Sequence, residues 1–179
     1  GVDTNLEISL KYFQKLKYLG FTQAHYYYGR CLILGLGIKQ NIFEGNHIIE
    51  EASDLEKNEI NSLLKKAADE EDKNSIIEYA DFLIRVRVKD QSIDEVCKYL
   101  KKAIDLEYIP AILEYGKMKY NGTEIEQNKE EAADLFKKAA DLGDHIGMYN
   151  YGYLLEIGDG ILMDKQESIK YYKAAIEKG

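Results

Sequence analysis

Glu131-Ala132-Ala133-Asp134-Leu135-Phe136-Lys137-Lys138-Ala139-Ala140-Asp141-Leu142-Gly143 decides the reading of this chain, because the same pattern returns at a fixed interval. A step of 36 residues back gives Glu95-Val96-Cys97-Lys98-Tyr99-Leu100-Lys101-Lys102-Ala103-Ile104-Asp105-Leu106-Glu107. A further step of 36 lands on the stretch from Ile60 to Glu71, and a step forward lands on Ser168 to Gly179. Within the segment Ala132, Leu135, Phe136 and Ala139 fall on one face of a helix. Self-similarity at such a period is the mark of stacked supersecondary units, each too small to bury its apolar face alone.

Composition agrees with helical units. The 179 residues include one proline, no tryptophan and 31% charged side chains, with no long alternating β-branched run that a sheet would need. The net charge of -8 argues against nucleic acid, whose phosphates require clustered Lys and Arg. Basic residues are instead interleaved with acids, as in Lys137-Lys138 before Asp141, which is the pattern of a solvated helix face. Apolar runs are too short to span a bilayer, so no membrane insertion is expected in this segment. Cys31 and Cys97 occupy non-equivalent repeat positions without a CxxC, and are expected to be small core residues in a reducing, cytoplasmic compartment. The sequon Asn121-Gly122-Thr123 keeps a secretory lumen, with Asn121 glycosylated, open as the alternative.

Between the Lys-Ala helices runs a second helical pattern built on a Tyr-Gly step: Ala24 to Tyr28-Gly29, Ser75 to Tyr79-Ala80, Ala111 to Tyr115-Gly116, and Gly147 to Tyr151-Gly152. Small residues five apart let a neighbouring helix approach, while the tyrosine supplies buried bulk. Gly35, Gly122 and Gly158 follow six residues later, where a left-handed residue ends a helix. Asn128 and Asp164 stand as N-caps ahead of two Lys-Ala helices. The chain opens inside a repeat loop and closes on a repeat helix, so both ends are expected to be cuts in a longer array with uncovered apolar faces that favour self-association.

The period breaks once. The segment from Gly45 to Glu56 fills a Lys-Ala slot, yet the next Lys-Ala segment begins 15 residues later, so one Tyr-Gly helix and its loop are missing. The region 43–71 is expected to be helical without repeating the geometry of the other pairs, as one long or kinked helix or as a helix that turns back at 59–71. In the unit at 75–92, Arg85-Val86-Arg87-Val88 replaces the loop glycines, and its helix is expected to run on.

The chemistry of sites is sparse. His25, His47 and His145 share no metal-ligand spacing, and His25 is expected in the core or between helices. Gly35-x-Gly37 with Lys39 follows a helix and not a strand, unlike a phosphate loop. No catalytic residue, metal ligand or cofactor site is expected.

The Ala-x4-Gly steps, the Gly-x-Gly-Ile loops and the Lys-Ala-Ala endings together resemble the Sel-one-like repeat (SLR) family, close relatives of tetratricopeptide repeats. The residues that carry the likeness include Ala24, Gly29, Gly35, Gly37 and Ile38; Ala111, Gly116 and Gly122; and Gly147, Gly152, Gly158, Gly160, Ile161 and Asp164. The likeness covers nearly the whole chain, residues 1–179, as a single array. It implies an all-α, right-handed solenoid of antiparallel helix pairs, with Tyr-Gly helices lining the inner face. It further implies a non-catalytic scaffold or adaptor that binds a protein or peptide segment in a concave groove. The alternative is a targeting or regulatory region of a larger enzyme whose catalytic domain lies elsewhere. The per-repeat disulfides of the family's secreted bacterial branch are absent here.

By the same resemblance, the groove positions fall three before, one after and four after the Tyr-Gly glycine or its replacement. They are Tyr26, Arg30 and Ile33; Ile77, Asp81 and Ile84; Leu113, Lys117 and Tyr120; and Tyr149, Tyr153 and Glu156. Rigid aromatics of this kind are what binding hot spots favour, and the alternative is that these tyrosines pack between helices.

Overall fold

The structure is a computed structural model describing residues 11–13, 15, 24–34, 39–50, 54–86 and 91–179. Its helices are α1 (Ala24–Leu34), α2 (Ile42–Glu50), α3 (Asp54–Asp69), α4 (Lys73–Arg85), α5 (Ile93–Asp105), α6 (Ile109–Asn121), α7 (Lys129–Asp141), α8 (His145–Ile157) and α9 (Lys165–Lys178). No strand occurs among the described residues, so the fold is all-α. The sequence period is reproduced in space: α4, α6 and α8 each hold 13 residues and begin 36 apart, as do α5 and α7. The chain forms two compact units, residues 1–75 with 85–90, and residues 76–84 with 91–179.

In the first unit α1 packs on α2. Tyr28 and Leu32 of α1 and Ile48 of α2 are buried together, with Phe13 and Cys31 packed against them. Asn41 starts α2 with a reciprocal cap. Its Oδ1 accepts from the Glu44 amide at 3.1 Å, while its Nδ2 donates to the Glu44 carboxylate at 2.8 Å. Among the described side chains of α3, Ile60, Leu64 and Ala68 are buried, one turn apart along a single face. Over the irregular region, α2 and α3 follow one another with no Tyr-Gly helix between them. Residues 51–53, and with them the choice between one long helix and two, lie outside the described residues, as do the expected cap Gly35 and its neighbours Gly37 and Ile38.

In the second unit α4 is tied to α5 by aromatic packing. Tyr79 and Tyr99 meet edge to face with ring centroids 4.6 Å apart, and the Tyr79 hydroxyl donates to Glu95 at 2.9 Å. Burial and the Glu95 carboxylate together push the Tyr79 phenol well above its ordinary range. The expectation that α4 would run on without its loop glycines is not met, because the helix stops at Arg85, in register with α6 and α8. Val86 just beyond it is buried, and the helix ends here without the glycine that the other repeats use.

From α5 to α9 each helix packs on the next. Gly122 and Gly158 end α6 and α8 with φ of 66° and 69°. The side chains of Asn128 and Asp164 cap α7 and α9 as expected, and Asp144 caps α8 through the Gly147 amide at 2.7 Å. Leu100, Ala103, Phe136, Ala139 and Ala140 are buried, which places the repeated apolar stripe in the seams between helices. Cys97 is half-buried, not in the core, and both cysteines are free.

One turn repeats with unequal sequence. Glu71, Glu107 and Gly143 stand 36 apart and all take positive φ, of 60°, 58° and 88°. The left-handed region costs an L-residue about 1–2 kcal/mol, and glycine nothing comparable. Glu107→Gly is therefore expected to stabilise the second unit by about 1 kcal/mol after glycine's greater freedom in the unfolded chain is set against it. Gly143→Ala, where an added Cβ meets nothing within 4 Å, is expected to destabilise it by a similar ~1 kcal/mol on backbone grounds alone. Urea midpoints of the two variants moving in the same direction would refute this account.

Candidate functional site

The second unit contains a cavity of about 240 Å³ between the successive Tyr-Gly helices α6 and α8. Lys117, Tyr120 and Asn121 line it from α6, Tyr149, Asn150, Tyr153 and Leu154 from α8, and Phe136 from the intervening α7. Its floor exists because Gly116 lacks a side chain. A Cβ there would come within 2.9 Å of the Phe136 ring, so glycine lets α6 settle onto α7 and leaves the neighbouring Lys117 turned outward.

The rim is held by polar pins. The Tyr120 hydroxyl donates to Asp159 Oδ2 at 3.1 Å, and Lys129 Nζ donates to the same oxygen at 2.8 Å while lying 5.5 Å above the Tyr120 ring. The Lys129 hydrogen bond, followed by that of Tyr120, holds the Asp159 carboxyl below its usual range. Tyr149 leans on Tyr172 of α9 with centroids 5.7 Å apart, and the Tyr172 hydroxyl donates to Glu156 at 2.7 Å. Burial, then that carboxylate, pushes the Tyr172 phenol up to about 12. Tyr149 and Tyr153 nevertheless remain 56% and 41% exposed, large rings at the cavity mouth.

Of the twelve positions expected to line a groove, Lys117, Tyr120, Tyr149 and Tyr153 are brought together on this one cavity. Leu113 is buried, and Glu156 is exposed and engaged with Tyr172. Asp81 is buried and accepts from the Tyr108 hydroxyl at 2.7 Å, while Ile77 and Ile84 are half-buried. In the first unit Tyr26 and Ile33 are buried and Arg30 is half-buried. Asn121 and Asn150 were not among the expected residues, although each lies three or four positions from one that was. Extending the groove positions along the helical stripe would have found both.

The cavity is smaller than the roughly 300–1,000 Å³ typical of small-molecule pockets. Among the described residues, no group of three or more His, Cys, Asp or Glu could hold a metal ion, and no helix is long and apolar enough to cross a membrane.

The repeat geometry has a family. The sequence matches the Sel1 repeat over residues 1–21, 22–56, 109–144 and 145–179, and the chain belongs to the Sel1 repeat family. Members of this family are typically protein–protein interaction scaffolds. The unmatched interval 57–108 is where the Tyr-Gly helix is missing and the loop glycines are replaced.

Among solved structures, the chain is similar to a Sel1 repeat protein from Oxalobacter formigenes, at 17% identity and a TM-score of 0.60, over 97% of this chain and 63% of that one. It is also similar to a protective antigen of uropathogenic Escherichia coli displaying an SLR fold, at 17% identity and 0.53, over 97% and 42%. A third likeness is to cysteine rich protein B of Helicobacter pylori, at 21% identity and 0.55, over 67% and 91%. These likenesses establish the α-solenoid fold. The chain spans 63% and 42% of the first two relatives. No functionally curated protein matches the sequence.

Proposed function

We propose that this chain is a non-catalytic adaptor that binds a protein segment along the exposed side of α6 and α8, with the cavity between them receiving an apolar side chain of the partner. The observation that carries the reading is the convergence of Lys117, Tyr120, Tyr149 and Tyr153, four of the residues that the family resemblance implied, on one cavity with an apolar floor. Tyr149, held by its ring contact with Tyr172, and Tyr120, held by its hydrogen bond to Asp159, lose little entropy on binding, which is what makes them effective anchors. Asn121 and Asn150 add amides at the rim that can pair with a partner's main chain. The net charge of -8 favours a protein partner over a nucleic acid.

A random peptide library displayed on phage supplies the test. Peptides selected on the parent protein are expected to lose roughly tenfold or more in affinity against Tyr149→Ala with Tyr153→Ala, the size of a hot-spot loss. The control is Lys137→Ala with Lys170→Ala on exposed helix surfaces. Lys138 is unsuitable because its Nζ donates to the Ile104 carbonyl at 2.9 Å and so belongs to a helix seam. Equal affinity for the parent and the tyrosine variant would move the site away from α6 and α8.

A further inference from the structure

We infer that Asp159 is a positioning residue of the cavity between α6 and α8: it touches no bound segment itself, and raises affinity by holding the Tyr120 ring at the cavity wall. The inference rests on the reading of that cavity as the partner site. Tyr120 lines the cavity, and Asp159 lies behind it. One carboxylate oxygen of Asp159 accepts from the Tyr120 hydroxyl at 3.1 Å and from Lys129 Nζ at 2.8 Å, while the same Nζ lies 5.5 Å from the centre of the Tyr120 ring. The ring is therefore fixed at its tip by the carboxylate and on its face by the ammonium, which leaves it few alternative rotamers.

A closely held turn delivers the carboxylate. Gly158 ends α8 in the left-handed region with φ of 69°, and the Asp159 amide donates to the Leu154 carbonyl at 3.3 Å. Gly160, with φ of 78°, brings the turn so near the start of α7 that an added Cβ would overlap the Lys129 carbonyl oxygen. Asp159 and Lys129 are thus set beside each other by main chain, and Tyr120, from the last turn of α6, meets both.

The repeat separates this trio from the requirements of the fold. Shifted back by 36 residues, Tyr120, Lys129 and Asp159 become Ile84, Ile93 and Thr123, which cannot form a pin centred on a carboxylate. Helix α6 nevertheless packs on α5 as α8 packs on α7. Lys129 and Asp159 are both half-buried, and an ion pair open to water contributes little to stability by itself. What the pin adds to its repeat is a fixed wall on the cavity. A side chain ordered before binding spares the complex the entropy of ordering it, which is worth about two- to tenfold in affinity.

The probe is a peptide selected on the parent protein from the displayed library, one whose affinity falls against Tyr149→Ala with Tyr153→Ala. Against Asp159→Ala it is expected to bind about two- to tenfold more weakly, and against Tyr120→Ala at least as weakly as that. The double variant is expected to bind it no more weakly than Tyr120→Ala alone, because Asp159 acts only through that ring. Lys129→Arg keeps a donor to Asp159 and a cation over the ring, and is expected to retain the parent affinity within about twofold, whereas Lys129→Leu loses part of it. In the free protein with labelled tyrosines, Asp159→Ala is expected to shift the ring resonances of Tyr120 and to leave in place those of Tyr151, which packs on Tyr171 in the α8–α9 seam. A library that yields no peptide sensitive to Tyr149 and Tyr153 overturns the reading of the cavity and this inference with it. A peptide that is sensitive to them but binds Asp159→Ala as it binds the parent, or on which the Asp159→Ala and Tyr120→Ala losses add in full, overturns the inference and leaves the cavity reading standing. Resonances of Tyr151 that move together with those of Tyr120 also overturn it, in favour of a turn that only supports the stacking of the repeats.

Discussion

Leu100→Asp and Phe136→Asp are expected to destabilise the second unit by about 3–5 kcal/mol each, the sum of a lost buried side chain and an unpaired polar group. Both residues are buried on repeated Lys-Ala helices, and the Phe136 ring lies directly beneath Gly116 of α6. For a unit of this size the melting temperature should fall by on the order of ten degrees or more. The sign with pH is fixed by burial, which raises the introduced carboxyl's pKa above its unfolded value of about 3.9. The penalty is therefore fully present at neutral pH and shrinks as the pH falls and the group is protonated in both states. Calorimetry at pH 7 and pH 4 measures it, and a melting temperature equal to the parent's at pH 7 would remove these residues from the core.

The second large effect belongs to the first unit. Gly45→Ala places a methyl 2.5 Å from the Gly29 carbonyl oxygen and 2.6 Å from Ile33 Cγ1, and Gly29→Ala places one 2.7 Å from the Gly45 carbonyl oxygen. A backbone atom cannot rotate aside, so α1 and α2 must separate along their length. The cost is about 1–3 kcal/mol, opposed by the roughly 1 kcal/mol that alanine gains over glycine inside a helix, so the net loss depends on how much core the separation opens. Because both substitutions break the same contact, the double variant is expected to lose clearly less than the two single losses added together. Denaturant unfolding of the two single variants and the double variant completes the cycle. Strict additivity would mean that the glycines act independently.

The relation between Gly29 and Gly45 also marks where reading the chain runs out. That Gly29 admits a close neighbour was legible from the Tyr-Gly step, and the other glycines of that step meet Phe136 and the Tyr171-Tyr172 pair on Lys-Ala helices. That its neighbour is itself a glycine, 16 residues on, follows only from the crossing of α1 and α2, a contact set in three dimensions. Asp81 makes the same point for the candidate site. The family resemblance placed it with Lys117 and Tyr153, but Tyr108 reaches back to its carboxylate and the side chain is buried. Its equivalents Lys117 and Tyr153 in the next two repeats line the cavity instead.

By itself the sequence determined the all-α class, the 36-residue unit, the paired helices, the glycine ends of α6 and α8, and the caps at Asn128 and Asp164. These are local properties, repeated so that each copy confirms the others, and helical period and capping chemistry act within a few residues along the chain. Only the tertiary structure decided that α4 ends at Arg85 without a glycine, that Glu107 takes the conformation Gly143 takes, and that Lys117, Tyr120, Tyr149 and Tyr153 share one cavity. The shared cavity depends on how α6 and α8 sit against α7, and a burial gain of a kilocalorie or two overrides a local preference of similar size.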